Sequence, residues 1–263
     1  MRIALIGGTA DADGLAKRLL DAGVDVEVST ASDLPLTLPC HPHLTRHSGV
    51  MDQTKMVAWL RKIGACALLD AAHPYATTLH TTAPLAAQET GIPYVLFLRA
   101  SMDTRIGKRV YYAKTHDEAA KSAFSFGRNV LLTIGVKNII PYAEEAKRKG
   151  LLFAARVLNH KNSINACHEV GLPEERIIVG TGPFSVEDNI RHLQSMDCGV
   201  LVTKDGGAAG GYLEKLAAAE QLDVEVVFVE RPTPPNGVKT FSDMDEAVRE
   251  TIRLAFTQSY KKS

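Results

Sequence analysis

Short apolar runs alternate with stretches whose apolar residues recur every three or four positions, and the alternation persists along almost the whole chain. The runs Arg2–Gly7, Asp25–Thr30, His43–His47, Ala67–Ala72 and Pro93–Arg99 read as strands. Strands of a parallel sheet are covered on both faces, so they carry near-continuous hydrophobicity. Between them, Asp11–Gly23 sets Leu15 and Leu19 on one helical face, and Met51–Gly64 sets Met56, Val57 and Leu60 on one stripe. Each ends in glycine, a helix stop signal. Thr77–Gly91 is a third helix, in which Pro84 predicts a kink or break. Ala100–Lys108 is polar and reads as a linker. A second series follows it, with strands Val110–Ala113, Asn129–Gly135, Leu151–Leu158, Arg176–Thr181, Gly199–Lys204 and Val224–Glu230. Thr115 and Glu118 form a capping box that opens one helix. The other helices are Val136–Gly150, Asn162–Gly171, Ser185–Met196, Ala208–Gln221 and Asp243–Phe256. The rigid Pro232–Asn236 segment separates the last strand from the final helix.

Alternating βα units imply parallel sheets with helices on both faces. Two series in tandem predict an α/β protein of two Rossmann-like lobes with a cleft between them, the first over 1–100 and the second over 107–263. A 45% hydrophobic share suits a real core, and 30 basic residues balance 30 acidic ones. No global field therefore favours nucleic acid or an anionic membrane, and anion recognition must come from local clustering. Cys40, Cys66, Cys167 and Cys198 are scattered, which fits a reducing cytoplasm better than a disulfide framework. The first residues read as a strand rather than a signal peptide, and no apolar run approaches the ~20 residues that span a bilayer.

A strand, then Gly7-Gly8-Thr9-Ala10-Asp11, then a helix is the arrangement that binds phosphate in dinucleotide-binding folds. Glycines admit a pyrophosphate to the backbone, and the helix start offers N–H groups. Asp11 is expected to cap that helix. The sequence is not G-x-G-x-x-G, and a tight turn without ligand is the alternative. The second strand ends in Ser29 and Thr30, with no acid at the position that holds a ribose diol, and Arg46 closes the third strand. Hydroxyls with a countercharge suit a 2′-phosphate, so NADPH is expected, with NADH the alternative coenzyme. Ser48 and Gly49 fall near the adenine, and His73-Pro74-Tyr75 near the nicotinamide ribose, where His73 and Tyr75 are candidate proton relays.

The second lobe collects cations at strand ends: Lys137, Arg156, Lys204 and Arg231, with Arg99 ending the first lobe. Ligands of open α/β sheets bind outside the carboxyl ends of strands. Five such cations point to an anionic, polycarboxylate substrate. Lys137 is expected in the first turn of a helix, where the dipole disfavours it by about 0.3–1 kcal/mol and an anion would offset that cost. The loop from Lys204 through Gly207 to Gly211 could cradle an anionic group. Cys40, His41, His43 and His47 match no defensible zinc spacing, so no metal is expected. Trp59 lies on a helical stripe and is expected in the core.

Ile6–Thr9, Asp70–Ala76, Leu131–Asn138, Ala155–Leu158, Gly182–Ser185 and Lys204–Lys215 together resemble the precorrin-6A reductase family, including its cobalt-precorrin-6A form. The resemblance covers nearly the whole chain. It departs at Gly206, where the family has serine, and at Asn159, where it has proline. It implies NAD(P)H-dependent reduction of one double bond in a contracting tetrapyrrole during cobalamin biosynthesis. A hydride reaches one ring carbon and a proton its neighbour. The substrate it implies is rich in carboxylates, with Lys137, Arg156 and Lys204 as clamps and Lys137, His73 and Tyr75 as candidate catalytic groups. Transient contact with other enzymes of the pathway would be its further partnership. The proton donor stays open among His73, Tyr75 and solvent. Two other readings compete: an NADP-dependent reductase of a smaller carboxylate, and a non-catalytic dinucleotide-sensing module.

Overall fold

A computed structural model describes residues 1–31, 33, 36–100, 109–205 and 211–262. Most of the expected linker and Gly207 lie outside the described residues. The chain begins β1 (Arg2–Ile6), α1 (Asp11–Asp21), β2 (Asp25–Thr30), β3 (Leu44–Ser48), α2 (Gln53–Ile63), β4 (Ala67–Asp70), α3 (Thr77–Thr90), β5 (Tyr94–Phe97). It continues β6 (Val110–Ala113), α4 (His116–Ser125), β7 (Val130–Leu132), α5 (Ile140–Lys149), β8 (Phe153–Val157), α6 (Lys161–Glu169). After a short 3-10 turn come β9 (Ile177–Val179), α7 (Val186–Ser195), β10 (Val200–Lys204), α8 (Tyr212–Gln221), β11 (Glu225–Val229), β12 (Thr240–Phe241) and α9 (Met244–Lys262).

The α/β class with two parallel sheets is borne out. One six-stranded sheet runs β3-β2-β1-β4-β5-β12 and the other β9-β8-β7-β10-β11-β6, with every described pairing parallel. Each reverses direction once, at β1/β4 and at β7/β10. That reversal is the topological switch point outside which open α/β sheets bind ligands. Pro84 neither ends nor interrupts α3, which runs on through it to Thr90.

The expected domain boundary needs correcting. The chain forms one unit from Met1–Ala100 with Pro232–Ser263, and a second from Ser101–Arg231. The C-terminal stretch was expected in the second lobe, yet it completes the first. β5 would otherwise present an unpaired edge. Thr240 and Phe241 lie against Leu96 and Phe97, with Leu96 N–H donating to Lys239 at 3.0 Å and Leu98 N–H to Phe241 at 2.9 Å. α9 buries Ala247, Val248 and Ala255 in one core cluster with Leu15 and Leu19 of α1 and Val26 and Val28 of β2. Gly14 permits that approach, because a Cβ there would stand 3.0 Å from the Met244 sulfur. The opposite face of this sheet is covered by α2 and α3 through Met56, Trp59, Leu60, Ala83 and Ala87, so Trp59 is core as expected. In the second unit, α7 and α8 cover Leu131, Ala154 and Leu201 with Leu193, Ala218 and Ala219.

Candidate functional site

In the first unit the switch point opens above Gly7. A Cβ there would lie 3.1 Å from Ala12 and 3.2 Å from Val28, and Gly8 holds φ +118°, so both positions demand glycine. Gly7 N–H donates to Ser29 at 2.8 Å, while no described residue accepts from the backbone N–H of Gly8, Thr9 or Ala10. Those donors at the start of α1 are what a pyrophosphate needs. The expected cap is different from the observed one. Asp11 is the first helical residue, and Ala10 occupies the cap without a side-chain bond. Thr9 Oγ1 instead accepts from Asp11 N–H at 3.3 Å and lies 3.1 Å from Asp11 Oδ2 and 3.3 Å from the Ala71 carbonyl. Asp11 also pairs with Arg99 Nη2 at 2.6 Å. Arg99, expected to meet substrate, is thus held by a carboxylate at the glycine turn.

At the end of β2, Arg46 donates to Thr30 Oγ1 from Nε at 3.2 Å and from Nη2 at 3.0 Å. Gly49 N–H donates to the Thr30 carbonyl at 2.9 Å, and Ser48 stands opposite Thr30 in β3. The structure therefore brings Thr30, Arg46, Ser48 and Gly49 together. Ser29 is only 3% exposed and meets the glycine turn through its carbonyl. Glu27 does not reach the strand end, because Thr45 of β3 donates to it.

β4 delivers a network that the sequence reading missed. Asp70 is fully buried: Oδ2 accepts from Tyr94 OH at 2.8 Å and lies 2.9 Å from His80 Nδ1, while Oδ1 accepts from Ala72 N–H at 2.9 Å. His80 Nε2 lies 3.1 Å from the His73 carbonyl. Both His80 nitrogens face oxygens that can accept, an arrangement that favours the doubly protonated ring. Burial alone would lower its pKa, but the bond and charge of Asp70 and the His73 carbonyl outweigh that and raise it. Burial, with the adjacent Asp70, pushes the Tyr94 hydroxyl far up. The pair ties α3 to the loop carrying His73, Pro74 and Tyr75. In that loop His73 Nδ1 accepts from Tyr75 N–H at 3.3 Å, leaving Nε2 as the protonated nitrogen of the neutral ring, and the two rings sit 5.5 Å apart. One signal was available: His80 shares a helical stripe with Ala83 and Ala87, so it had to be buried and partnered.

In the second unit, Lys137 is exposed and lies in the turn after β7, ahead of α5, so the expected dipole penalty does not arise. The reason is Pro141, which sits in the first turn and sets the helix start at Ile140. Lys204, at the end of β10, has its pKa lowered by burial and by the charge of Lys137. Arg231 pairs with the buried Asp205 at 2.6 Å, so this expected substrate contact is already answered by a carboxylate. Arg156 is 7% exposed, with its charge over the Phe184 ring at 4.1 Å. Lys215 of α8 was also missed. Burial, the charge of Arg156 and that of Lys204 push its pKa down to about 8 against the pull of Glu214. His116 is lowered by burial and by Lys204, and its Nδ1 lies 3.0 Å from Tyr142 OH. Lys137, Arg156, Lys204 and Lys215 therefore share one electrostatic neighbourhood at the carboxyl ends of this sheet. Among the described residues no group of three or more His, Cys, Asp or Glu could hold a metal ion. No helix formed by them is long and apolar enough to cross a membrane.

A family-wide sequence profile described as Precorrin-6x reductase CbiJ/CobK matches residues 2–251. The cobalt-precorrin-6A reductase of Priestia megaterium is 29% identical over 251 residues, covering 95% of this chain and 98% of that protein. That of Salmonella typhimurium is 30% identical over 233 residues, covering 88% of each. A solved structure, CobK precorrin-6A reductase, superposes with a TM-score of 0.78 at 25% identity over 97% of both chains.

Proposed function

The chain belongs to the precorrin-6x reductase CbiJ/CobK family, and on that premise we propose that it takes NADPH as reductant for the precorrin-6A macrocycle, metal-free or cobalt-bearing. It is an oxidoreductase of cobalamin biosynthesis, and its substrate is a tetrapyrrole. The observation that carries the coenzyme reading is the Arg46–Thr30 pair at the end of β2, where a carboxylate would repel a 2′-phosphate.

The residues present fit a dinucleotide. Gly7 lets the turn pack against Ala12 and Val28, Gly8 leaves room beside the backbone, and the N–H groups of Gly8, Thr9 and Ala10 point to pyrophosphate binding. Arg46, with Thr30, Ser48 and Gly49, holds the 2′-phosphate and the adenine end. Ser29 supports the glycine turn from below. The bound nicotinamide supplies a hydride, so the protein's work is placement. His73, Pro74 and Tyr75 orient the nicotinamide ribose. His73, whose Nδ1 accepts from Tyr75 N–H, is the protein group best placed to hold a proton at that end.

Lys137, Arg156 and Lys204 bind carboxylates of the macrocycle, and Lys215 adds charge beneath them. Burial of Arg156, Lys204 and Lys215 lowers their pKa values, a cost that substrate carboxylates offset. Arg99 and Arg231 shape their turns through Asp11 and Asp205 rather than gripping substrate. The test is consumption of reduced nicotinamide when a precorrin-6A species meets the purified protein. NADPH should be used in clear preference to NADH, and a preference for NADH would overturn the coenzyme reading. Equal turnover of a small unsaturated carboxylate would favour the generic reductase instead.

A further inference from the structure

Arg156 is nine-tenths buried, yet among the described residues no carboxylate pairs with it. Its Nη1 donates to Asn189 Oδ1 at 2.8 Å and lies 3.3 Å from His192 Nδ1. A guanidinium only donates, so His192 accepts at Nδ1 and is neutral with its proton on Nε2. Both Nη1 protons are spent, and the guanidinium carbon sits over the Phe184 ring. No described residue accepts from Nε or Nη2, the edge whose two parallel N–H groups match a carboxylate.

We propose that this Nε–Nη2 edge of Arg156 is a preset receptor for one carboxylate of the tetrapyrrole, with Asn189 and His192 as its positioning residues. The proposal rests on the reductase reading above and deepens it.

The surroundings are built for that task. Asn189 is 1% exposed, and its amide nitrogen donates to the Phe184 carbonyl at 3.3 Å and the Ser185 carbonyl at 2.7 Å, which turns Oδ1 toward Arg156. Asn189 and His192 are three residues apart in α7 and so share a helical face. Ser185 and Asp188 lock the start of that helix in a capping box. Asp188 is the acid whose charge reaches Arg156, but it is committed: it accepts from Ser185 N–H at 3.3 Å and pairs with Arg191. Burial lowers the pKa of Arg156 to about 10, and Arg156 in turn lowers that of Lys215. Burial and the charges of Arg156 and Arg191 lower His192, keeping its Nδ1 an acceptor. A desolvated cation with neutral partners only is costly until an anion arrives.

Steady-state kinetics with NADPH and precorrin-6A, alongside thermal unfolding, tests this. Arg156→Lys keeps charge but loses the fork, and should raise the substrate KM by roughly tenfold to a hundredfold, leaving the NADPH dissociation constant unchanged. Asn189→Asp gives Arg156 an internal carboxylate. It loses the amide donors to the Phe184 and Ser185 carbonyls, so the melting temperature should fall. It should still raise KM similarly, leave the NADPH dissociation constant unchanged and abolish stabilisation by a free carboxylate, which a merely structural role would not produce. His192→Leu should raise KM, and His192→Asn, which keeps an acceptor near Nδ1, should restore most of it. Unchanged KM in Arg156→Lys and Asn189→Asp would overturn the proposal. So would weakened NADPH binding, which would assign the edge to a coenzyme phosphate. Citrate, as a free polycarboxylate probe, should raise the melting temperature of the wild-type protein and not that of Arg156→Lys. That readout needs no turnover. If the wild-type protein does not reduce precorrin-6A at all, the reductase reading fails, while the citrate result still judges the edge; an equal citrate response in both proteins would sink the edge alone.

Discussion

Five strands follow the same order in the two units, but the sixth is the last strand of the chain in the first (β12) and the earliest of its unit in the second (β6). The second unit also buries a cation, Arg156, with which no described carboxylate pairs. In the first, buried or half-buried charges come as opposed pairs: Asp70 with His80 at 2.9 Å, and Asp11 with Arg99 at 2.6 Å. In the second, Arg231 pairs with the buried Asp205 in the same way, but Arg156, Lys204 and Lys215 share one electrostatic neighbourhood, and each has its pKa lowered by burial and, for the lysines, by a neighbouring cation. A matched pair fixes a loop whether or not ligand is present. A buried cation with which no described carboxylate pairs, as for Arg156, carries a desolvation cost that an anionic ligand would offset. The difference fits the proposal of a first unit preset for a coenzyme and a second completed by its substrate.

The sharpest way to break this contrast is to unpair the first unit. Asp70→Asn removes the carboxylate under His80 and should cost about 3–5 kcal/mol. Native-state hydrogen exchange should show the loss in β1, β4 and α3 while β7 and β10 stay protected. Uniform loss across both sheets would mean that the network is not local to the first unit.

pH should pull the units apart, with a smaller effect. The folded pKa of His80 is raised, so its contribution is complete below about pH 6.5 and is lost as pH climbs through the elevated value. Lys215, folded pKa about 8, runs the other way. Its penalty is full below that value and fades as pH rises toward ~10.4, where the unfolded lysine also loses its proton. Exchange profiles at pH 6 and pH 9 should therefore shift protection from the first sheet toward the second. Parallel shifts would refute the contrast.

Single contacts come next. Lys137→Ala should raise the KM for precorrin-6A by roughly tenfold and leave NADPH binding intact, since one charge-assisted bond is worth about 1.5 kcal/mol at its lower bound. The smallest expected change is Arg46→Ala, which should lower NADPH affinity severalfold and leave NADH affinity alone. A loss shared by both coenzymes would place Arg46 away from the 2′-phosphate.

Much of the architecture was legible, because strands covered on both faces must be apolar along their length, as Ile3–Ile6, Leu68–Leu69 and Val200–Val202 are. β12 was not. It has two residues, and its partner is β5, more than a hundred positions earlier, so no local pattern marks it. The glycine turn was legible from Gly7 and Gly8, whose backbone needs are local. The pairings that decide which cations face ligand were not. Arg99 meets Asp11 and Arg231 meets Asp205 across distances in sequence that spacing does not encode. The same holds for Tyr94 and His80 converging on Asp70. Lys137 lies ahead of the helix rather than in its first turn, because Pro141 is the local sign of the helix start.

The return of Pro232–Ser263 to the first unit makes residues 101–231 an insertion within it. On a ribosome, the inserted unit has all its strands before the host sheet receives β12 or the apolar stripe of α9. A nascent chain stopped near Arg231 should therefore already protect β7 and β10 from protease while α1 and β5 remain open to it. Joining residue 100 to residue 232 through a short turn should yield a small, self-standing coenzyme module.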